Sequence, residues 1–147
     1  MRSRAGPIVL VEPNPDDVIL TMRALAEDDG GEVVVLSDGE SLLSRLLPRD
    51  GSAPLEPAII LMDVHLPTIS GPAVLARIRA DERTRRLPVV MLSTSCEEHD
   101  VAESYRLGAD KVVCKPVAYN DFARLVQALS AYWLDLDAAR PTPEGMS

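Results

Sequence analysis

Apolar and polar positions follow two rhythms along this chain. Four short apolar runs, Ile8–Val11, Ile59–Met62, Val89–Leu92 and Val112–Cys114, each stop abruptly on a polar side chain: Glu12, Asp63, Ser93 and Lys115. Nearly all-apolar runs of this length predict buried strands of a parallel sheet. Val33–Leu36 predicts another, and Lys111 opens the last. Between the runs, apolar residues recur at spacings of three and four. Asn14 as N-cap, Pro15 at the first helical position and Asp16 and Asp17 in the first turn predict a helix start. That helix carries Val18, Leu20, Met22 and Leu25 and stops at Gly30–Gly31. A short helix with Leu42, Leu43, Leu46 and Leu47 precedes a loop from Pro48 to Pro57. Val74, Leu75 and Ile78 share a helix face after the loop Val64–Gly71. Cys96 to Leu107 predicts a less regular helix closed by Gly108. Tyr119 to about Trp133 predicts a strongly amphipathic last helix, with Phe122, Leu125, Val126, Leu129 and Tyr132 on one face.

Five βα units joined by right-handed crossovers predict an α/β fold. It is a flavodoxin-like, doubly wound (βα)5 domain whose parallel five-stranded sheet has the order 2-1-3-4-5. Residues 1–7 form an extension, 8–133 the domain, and 134–147 a tail that is either a dimer arm or disordered. In such sheets ligands bind beyond the carboxyl ends of the strands. Glu12, Asp63, Ser93 and Lys115 therefore converge on one rim, although they are far apart in the chain. Two carboxylates, a hydroxyl and an ammonium are the parts needed to hold a divalent cation and a phosphoryl group.

Composition narrows the classes. With 147 residues, 46% apolar and 26% charged, the chain reads as one soluble domain with a real core. A formal net charge of −8 opposes binding to nucleic acid or to an anionic membrane. Arg83, Arg85 and Arg86 form one basic cluster, read as a solvated loop. No apolar run approaches the roughly 20 residues of a membrane span, and Met1–Pro7 lacks the apolar core of a signal peptide. Two cysteines, Cys96 and Cys114, are too few for a disulfide framework and fit a reducing cytoplasm, with Cys114 as a small buried hydrophobe. A hydrolase lacks support here, with no nucleophile elbow, metal-ligand histidine pair or Gly-rich phosphate loop. A flavin site fails because Glu12–Pro13–Asn14–Pro15 is a poor phosphate cradle.

Four segments carry a resemblance: Val11–Asp17, Met62–Gly71, Pro88–Ser95 and Gly108–Pro116. Together and in this order they resemble the response-regulator receiver domain, over residues 8 to about 133. The absence of an output domain resembles stand-alone, chemotaxis-type regulators. The ending Ala131–Tyr132–Trp133–Leu134 is similar to the single-domain regulators that partner bacterial phytochrome histidine kinases. The resemblance implies a signalling phosphoprotein that catalyses at most its own phosphorylation and dephosphorylation. Asp63 is the implied phosphoacceptor for a sensor histidine kinase, such as a phytochrome-type one, and forms an acyl phosphate. Ser93 is the implied hydroxyl that meets the phosphoryl oxygen, and Lys115 the ammonium that pairs with acceptor and phosphate. Pro116 follows where a cis bond is expected. Glu12, Asp63 and the backbone carbonyl of His65 are the implied ligands of Mg²⁺.

Two positions depart from the family pattern. Pro13 stands where relatives carry a second acid, leaving Glu12 and Asp63 against Lys115, formally −1 rather than −2. A unit charge about 4 Å away is worth roughly 4 kcal/mol at an effective dielectric of 20, before desolvation. Mg²⁺ binding weaker than usual is therefore expected, with Asp16 able to reach the pocket through water. Val112 stands where many relatives carry a switch aromatic. These departures keep open an alternative, a degenerate receiver acting as a phosphorylation-independent docking or dimerisation module. Tyr132, Trp133, Leu134 and Leu136 extend past the expected end of the sheet. They predict a two-fold homodimer through the last helix and tail.

Overall fold

The computed structural model describes residues 6–27, 32–94, 96–115, 121, 124, 125, 127 and 128. Strands β1 (Ile8–Val11), β2 (Val33–Leu36), β3 (Ile59–Asp63), β4 (Val89–Ser93) and β5 (Lys111–Cys114) form one parallel sheet in the order 2-1-3-4-5. Helices α1 (Pro15–Glu27), α2 (Gly39–Leu46), α3 (Gly71–Ala80) and α4 (Glu98–Arg106) connect them. The flavodoxin-like architecture expected from the apolar runs is the observed one.

Alternation along each strand splits the core in two. Ile8, Leu10, Ile59, Leu61, Val90, Leu92 and Val113 face one side, where Leu25 of α1 and Leu125 pack. Val9, Val11, Ile60, Met62, Val89 and Met91 face the other, against Leu42 and Leu46 of α2 and Val74, Leu75 and Ile78 of α3. The central strands β1, β3 and β4 are buried throughout, which is why they read as continuous apolar runs. Register then sets the rim: Val11 lies beside Met62, Asp63 beside Leu92, and Ser93 beside Cys114.

Local chemistry starts and stops the helices. The Asn14 side chain accepts the Asp16 N–H at 2.9 Å, and its carbonyl accepts from Val18, so Asn14 caps α1 as expected. Asp38 caps α2 through the Ser41 N–H, and Ser70 caps α3 with Pro72 in the first turn. Gly108, at φ 110°, ends α4 in a Schellman arrangement: its N–H bonds Tyr105 and the next N–H, of Ala109, bonds Ser104.

Three expectations for the cysteine region are corrected. Helix α4 starts at Glu98, and Cys96 sits before it in a loop with φ 55°. Cys114 is exposed rather than buried, because it lies at the carboxyl end of an edge strand, whose Val112 and Val113 supply its core contacts. Cys96 and Cys114 are joined by a disulfide, with Cα atoms 5.5 Å apart across 18 residues. Sequence spacing alone carries no sign of this pairing, because the β4–β5 register is what brings the two together. Residues 121, 124, 125, 127 and 128 are helical, within the expected last helix. Pro116, Tyr132, Trp133, Leu134, Leu136 and the 134–147 tail lie outside the described residues.

Candidate functional site

The rim residues meet around one ammonium. Lys115 Nζ donates to Asp63 Oδ2 at 2.7 Å, to Glu12 Oε1 at 2.7 Å and to Asp17 Oδ2 at 2.9 Å. Its side chain is 6% exposed, and those of Glu12 and Asp63 are 1% and 7% exposed. An ammonium this deep is tolerable only because carboxylates surround it. Burial works against its charge, but the hydrogen bonds to Asp63, Glu12 and Asp17 outweigh burial and raise its pKa above the ordinary lysine value. Burial dominates at Glu12, whose carboxyl rises from 4.5 to about 6 despite the opposing pull of Lys115.

Asp63 ends β3 and is held at both oxygens. Oδ2 takes the ammonium, while Oδ1 accepts the His65 N–H at 2.7 Å. Gly71 explains how the chain passes behind this group. A Cβ there would collide with the Asp63 carbonyl oxygen and lie 2.9 Å from Val64 Cα, so only glycine admits the approach. Ser93 ends β4 fully buried. Its hydroxyl accepts the Cys96 N–H at 2.9 Å, and its carbonyl accepts the Lys115 N–H at 2.9 Å. The structure thus gathers Glu12, Asp63 and Lys115 directly, with Ser93 on the neighbouring strand end. The His65 imidazole points away, 63% exposed, with Nε2 3.5 Å from Asp100 Oδ2 on α4.

Asp17 is the residue that the sequence reading missed. Asp16, thought able to reach the pocket through water, is exposed, whereas Asp17 is half-buried against Lys115. Helical periodicity was the available signal: Asp17 and Thr21 share a face, and Thr21 is buried, its hydroxyl donating to the Asp17 carbonyl at 2.8 Å. Counting Asp17, three carboxylates and one ammonium restore a formal charge of −2 around Lys115. Val112 carries no ring, but its N–H donates to the Tyr105 hydroxyl of α4 at 3.1 Å.

The donor set is hard oxygen, the kind that suits Mg²⁺ or Mn²⁺. Among the described residues, no three His, Cys, Asp or Glu side chains are grouped closely enough to hold a metal by themselves. Two carboxylates, a backbone carbonyl and water remain a sufficient set for a small divalent ion, so the residues present fit one.

A buried carboxylate, a lysine against it and a hydroxyl at the next strand end stand together at the carboxyl rim of a five-stranded 2-1-3-4-5 sheet. Residues 8–129 match the response regulator receiver domain, and the chain belongs to that family of two-component signalling proteins. It is 33% identical over 132 residues to the response regulator Rcp1 of Synechocystis, covering 87% of this chain and 88% of Rcp1. The Mn²⁺-bound form of Rcp1 superposes with a TM-score of 0.78 at 32% identity, over 88% of this chain and 95% of that one. The phosphorylated cyanobacterial phytochrome response regulator RcpA superposes with a TM-score of 0.79 at 33% identity, over 89% and 95%. The bacteriophytochrome response regulator AtBRR is 39% identical over 90% of this chain and 96% of its own, with a TM-score of 0.66. Among the described residues, no helix is long and apolar enough to cross a membrane.

Proposed function

We propose that this protein is a single-domain response regulator that accepts a phosphoryl group on Asp63 from a sensor histidine kinase of the phytochrome type. The observation that carries this reading is the 2.7 Å approach of Lys115 Nζ to Asp63 Oδ2 inside a buried acidic pocket. An Asp63 oxygen attacks phosphorus, the P–N bond to the kinase histidine breaks, and the imidazole leaves with the electron pair. Lys115 moves its charge from the free carboxylate to the phosphoryl oxygens, and the Ser93 hydroxyl donates to one of them. The likeness to RcpA and AtBRR supports the phytochrome assignment of the partner.

Glu12, Asp63 and the His65 carbonyl would hold Mg²⁺, which would supply positive charge against the phosphoryl oxygens. Pro13 removes one direct ligand, so binding is weaker than where two acids follow the first strand. Asp17 returns the charge but engages Lys115. The protein works in the cytoplasm and forms a homodimer through Tyr132, Trp133, Leu134 and Leu136, a reading that rests on their apolar character in the sequence. Light scattering showing only monomer at micromolar concentration overturns the dimer.

The deciding experiment is intact mass spectrometry after incubation with a small-molecule phosphodonor, with and without Mg²⁺. One added phosphoryl group, absent in Asp63→Asn and dependent on Mg²⁺, is the expected result. No addition from the phosphodonor or from a phytochrome-type kinase overturns the acceptor role and leaves the docking module.

A further inference from the structure

The segment that follows Ser93 is tied to the strand that carries Lys115. Ser93 pairs with Cys114 in the β4–β5 register, and its carbonyl accepts the Lys115 N–H at 2.9 Å. Three residues on, Cys96 donates its N–H to the Ser93 hydroxyl at 2.9 Å, while its sulfur is bonded to Cys114. The cross-link and the two hydrogen bonds close a small ring around Ser93, at the rim where the phosphoryl group arrives.

We propose that Cys96 and Cys114 are a redox modification site: a reversible dithiol–disulfide pair whose oxidation locks the loop after Ser93 and slows phosphoryl transfer to Asp63. Two further features favour a reversible bond over a fixed structural one. Cys96 holds φ 55°, a left-handed backbone that a residue with a Cβ rarely adopts, so the cross-link sits on a backbone that does not favour it. Cys114 is exposed and Cys96 half-exposed, so a small thiol reaches the pair without unfolding the domain. Among proteins of a reducing compartment, a disulfide of this kind is characteristically transient.

The chemistry balances with a low-molecular-weight disulfide as oxidant. One cysteine thiolate attacks it and releases one small thiol, giving a mixed disulfide. The other cysteine displaces the second small thiol, so the protein loses two electrons and two protons to the oxidant. A small thiol in excess reverses both steps. The coupling to phosphorylation follows from position. Ser93 and Lys115 both have to adjust when a phosphoryl group occupies Asp63, and the bond fixes the residues next to them. The transfer half of the proposal rests on Asp63 being the acceptor.

The test uses the full chain in buffers of stepped reduced-to-oxidised glutathione ratio, quenched by alkylation and read by intact mass. Two thiols are expected to appear together across the series, with the domain still folded by circular dichroism. A pair that stays fully oxidised, or fully reduced, at every ratio overturns reversibility. Phosphorylation by a small-molecule phosphodonor is then timed for both forms. The oxidised form is expected to react at least fivefold more slowly, while Cys96→Ser and Cys114→Ser react at the reduced rate under both conditions. Rates within twofold for the two wild-type forms overturn the coupling. If neither form takes phosphate, the Asp63 reading fails by itself. Hydrogen exchange at the Cys96 amide then decides the lock: about tenfold faster exchange on reduction supports it, and no change overturns it.

Discussion

Asp17 and Lys115 are 98 residues apart in the chain, yet the lysine donates to the Asp17 carboxylate at 2.9 Å. Helix α1 thereby adds a third carboxylate to the pocket of Glu12 and Asp63. Asp17 is 30% exposed at its side chain, so solvent screens part of its effect. Asp17→Asn is expected to weaken Mg²⁺ binding about fivefold, roughly 1 kcal/mol, in a calorimetric titration. Asp16→Asn, altering an exposed carboxylate, is expected to leave it within twofold. Equal effects of the two substitutions contradict the assignment.

Glu12 couples stability to pH. Its carboxyl titrates at about 6 in the folded protein against an ordinary 4.5, chiefly through burial. A carboxyl with a raised folded-state pKa binds its proton more tightly when folded. Its contribution is complete below pH 4.5 and is lost as pH rises through about 6. The shift corresponds to about 2 kcal/mol. Lys115, also raised, keeps its contribution at any pH below its ordinary value of 10.5 and does not enter this window. Urea unfolding at stepped pH should show wild type losing about 2 kcal/mol relative to Glu12→Gln between pH 4.5 and 7. Parallel profiles for the two proteins exclude this role for Glu12.

Gly71 lies behind Asp63, where a Cβ would strike the Asp63 carbonyl oxygen and crowd Val64 Cα as well as the tip of Met91. Gly71→Ala should cost about 1–3 kcal/mol of stability through overpacking. Because the displaced atoms belong to Asp63 and Val64, phosphorylation should slow as well. Gly51, with nothing near its Cβ position but φ 85°, is the control. Gly51→Ala should carry only the cost of its left-handed backbone and leave the phosphorylation rate unchanged.

Arg79 bolts three segments together at the opposite end of the sheet. It donates to the carbonyls of Gly108, Arg85 and Leu87 and to Asp110 Oδ2, whose carboxylate also accepts the Val89 N–H at 2.8 Å. Arg79→Ala strands those acceptors and should lower stability by about 2–3 kcal/mol, read as a shift of the urea midpoint. Distance from the rim should leave phosphorylation of the folded fraction unaffected.

Oxidation adds a stability readout. In the chain-entropy picture, a cross-link closing 18 residues is worth about 3 kcal/mol. Cys114→Ser is therefore expected to match reduced wild type in urea and to fall below the oxidised form. An unchanged midpoint on oxidation argues that the bond strains the native loop as much as it restricts the unfolded chain.

The strands and the rim were legible from sequence because short-range patterning marks them, and the strand order followed from right-handed crossovers between βα units. Apolar runs of four residues place β1, β3 and β4, and the polar residue ending each run marks the sheet's carboxyl edge. Asn14 and Gly108 announce helix ends through their own backbone and side-chain chemistry. What tertiary structure alone decided are contacts between segments whose spacing in the chain carries no message. Docking of α1 on the sheet brings the Asp17 face to Lys115, the β4–β5 register sets Cys114 beside the loop of Cys96, and packing of α4 lays the Tyr105 hydroxyl on Val112. A side chain's identity fixes what it can bond, but only the closed fold determines which partner lies within 3 Å.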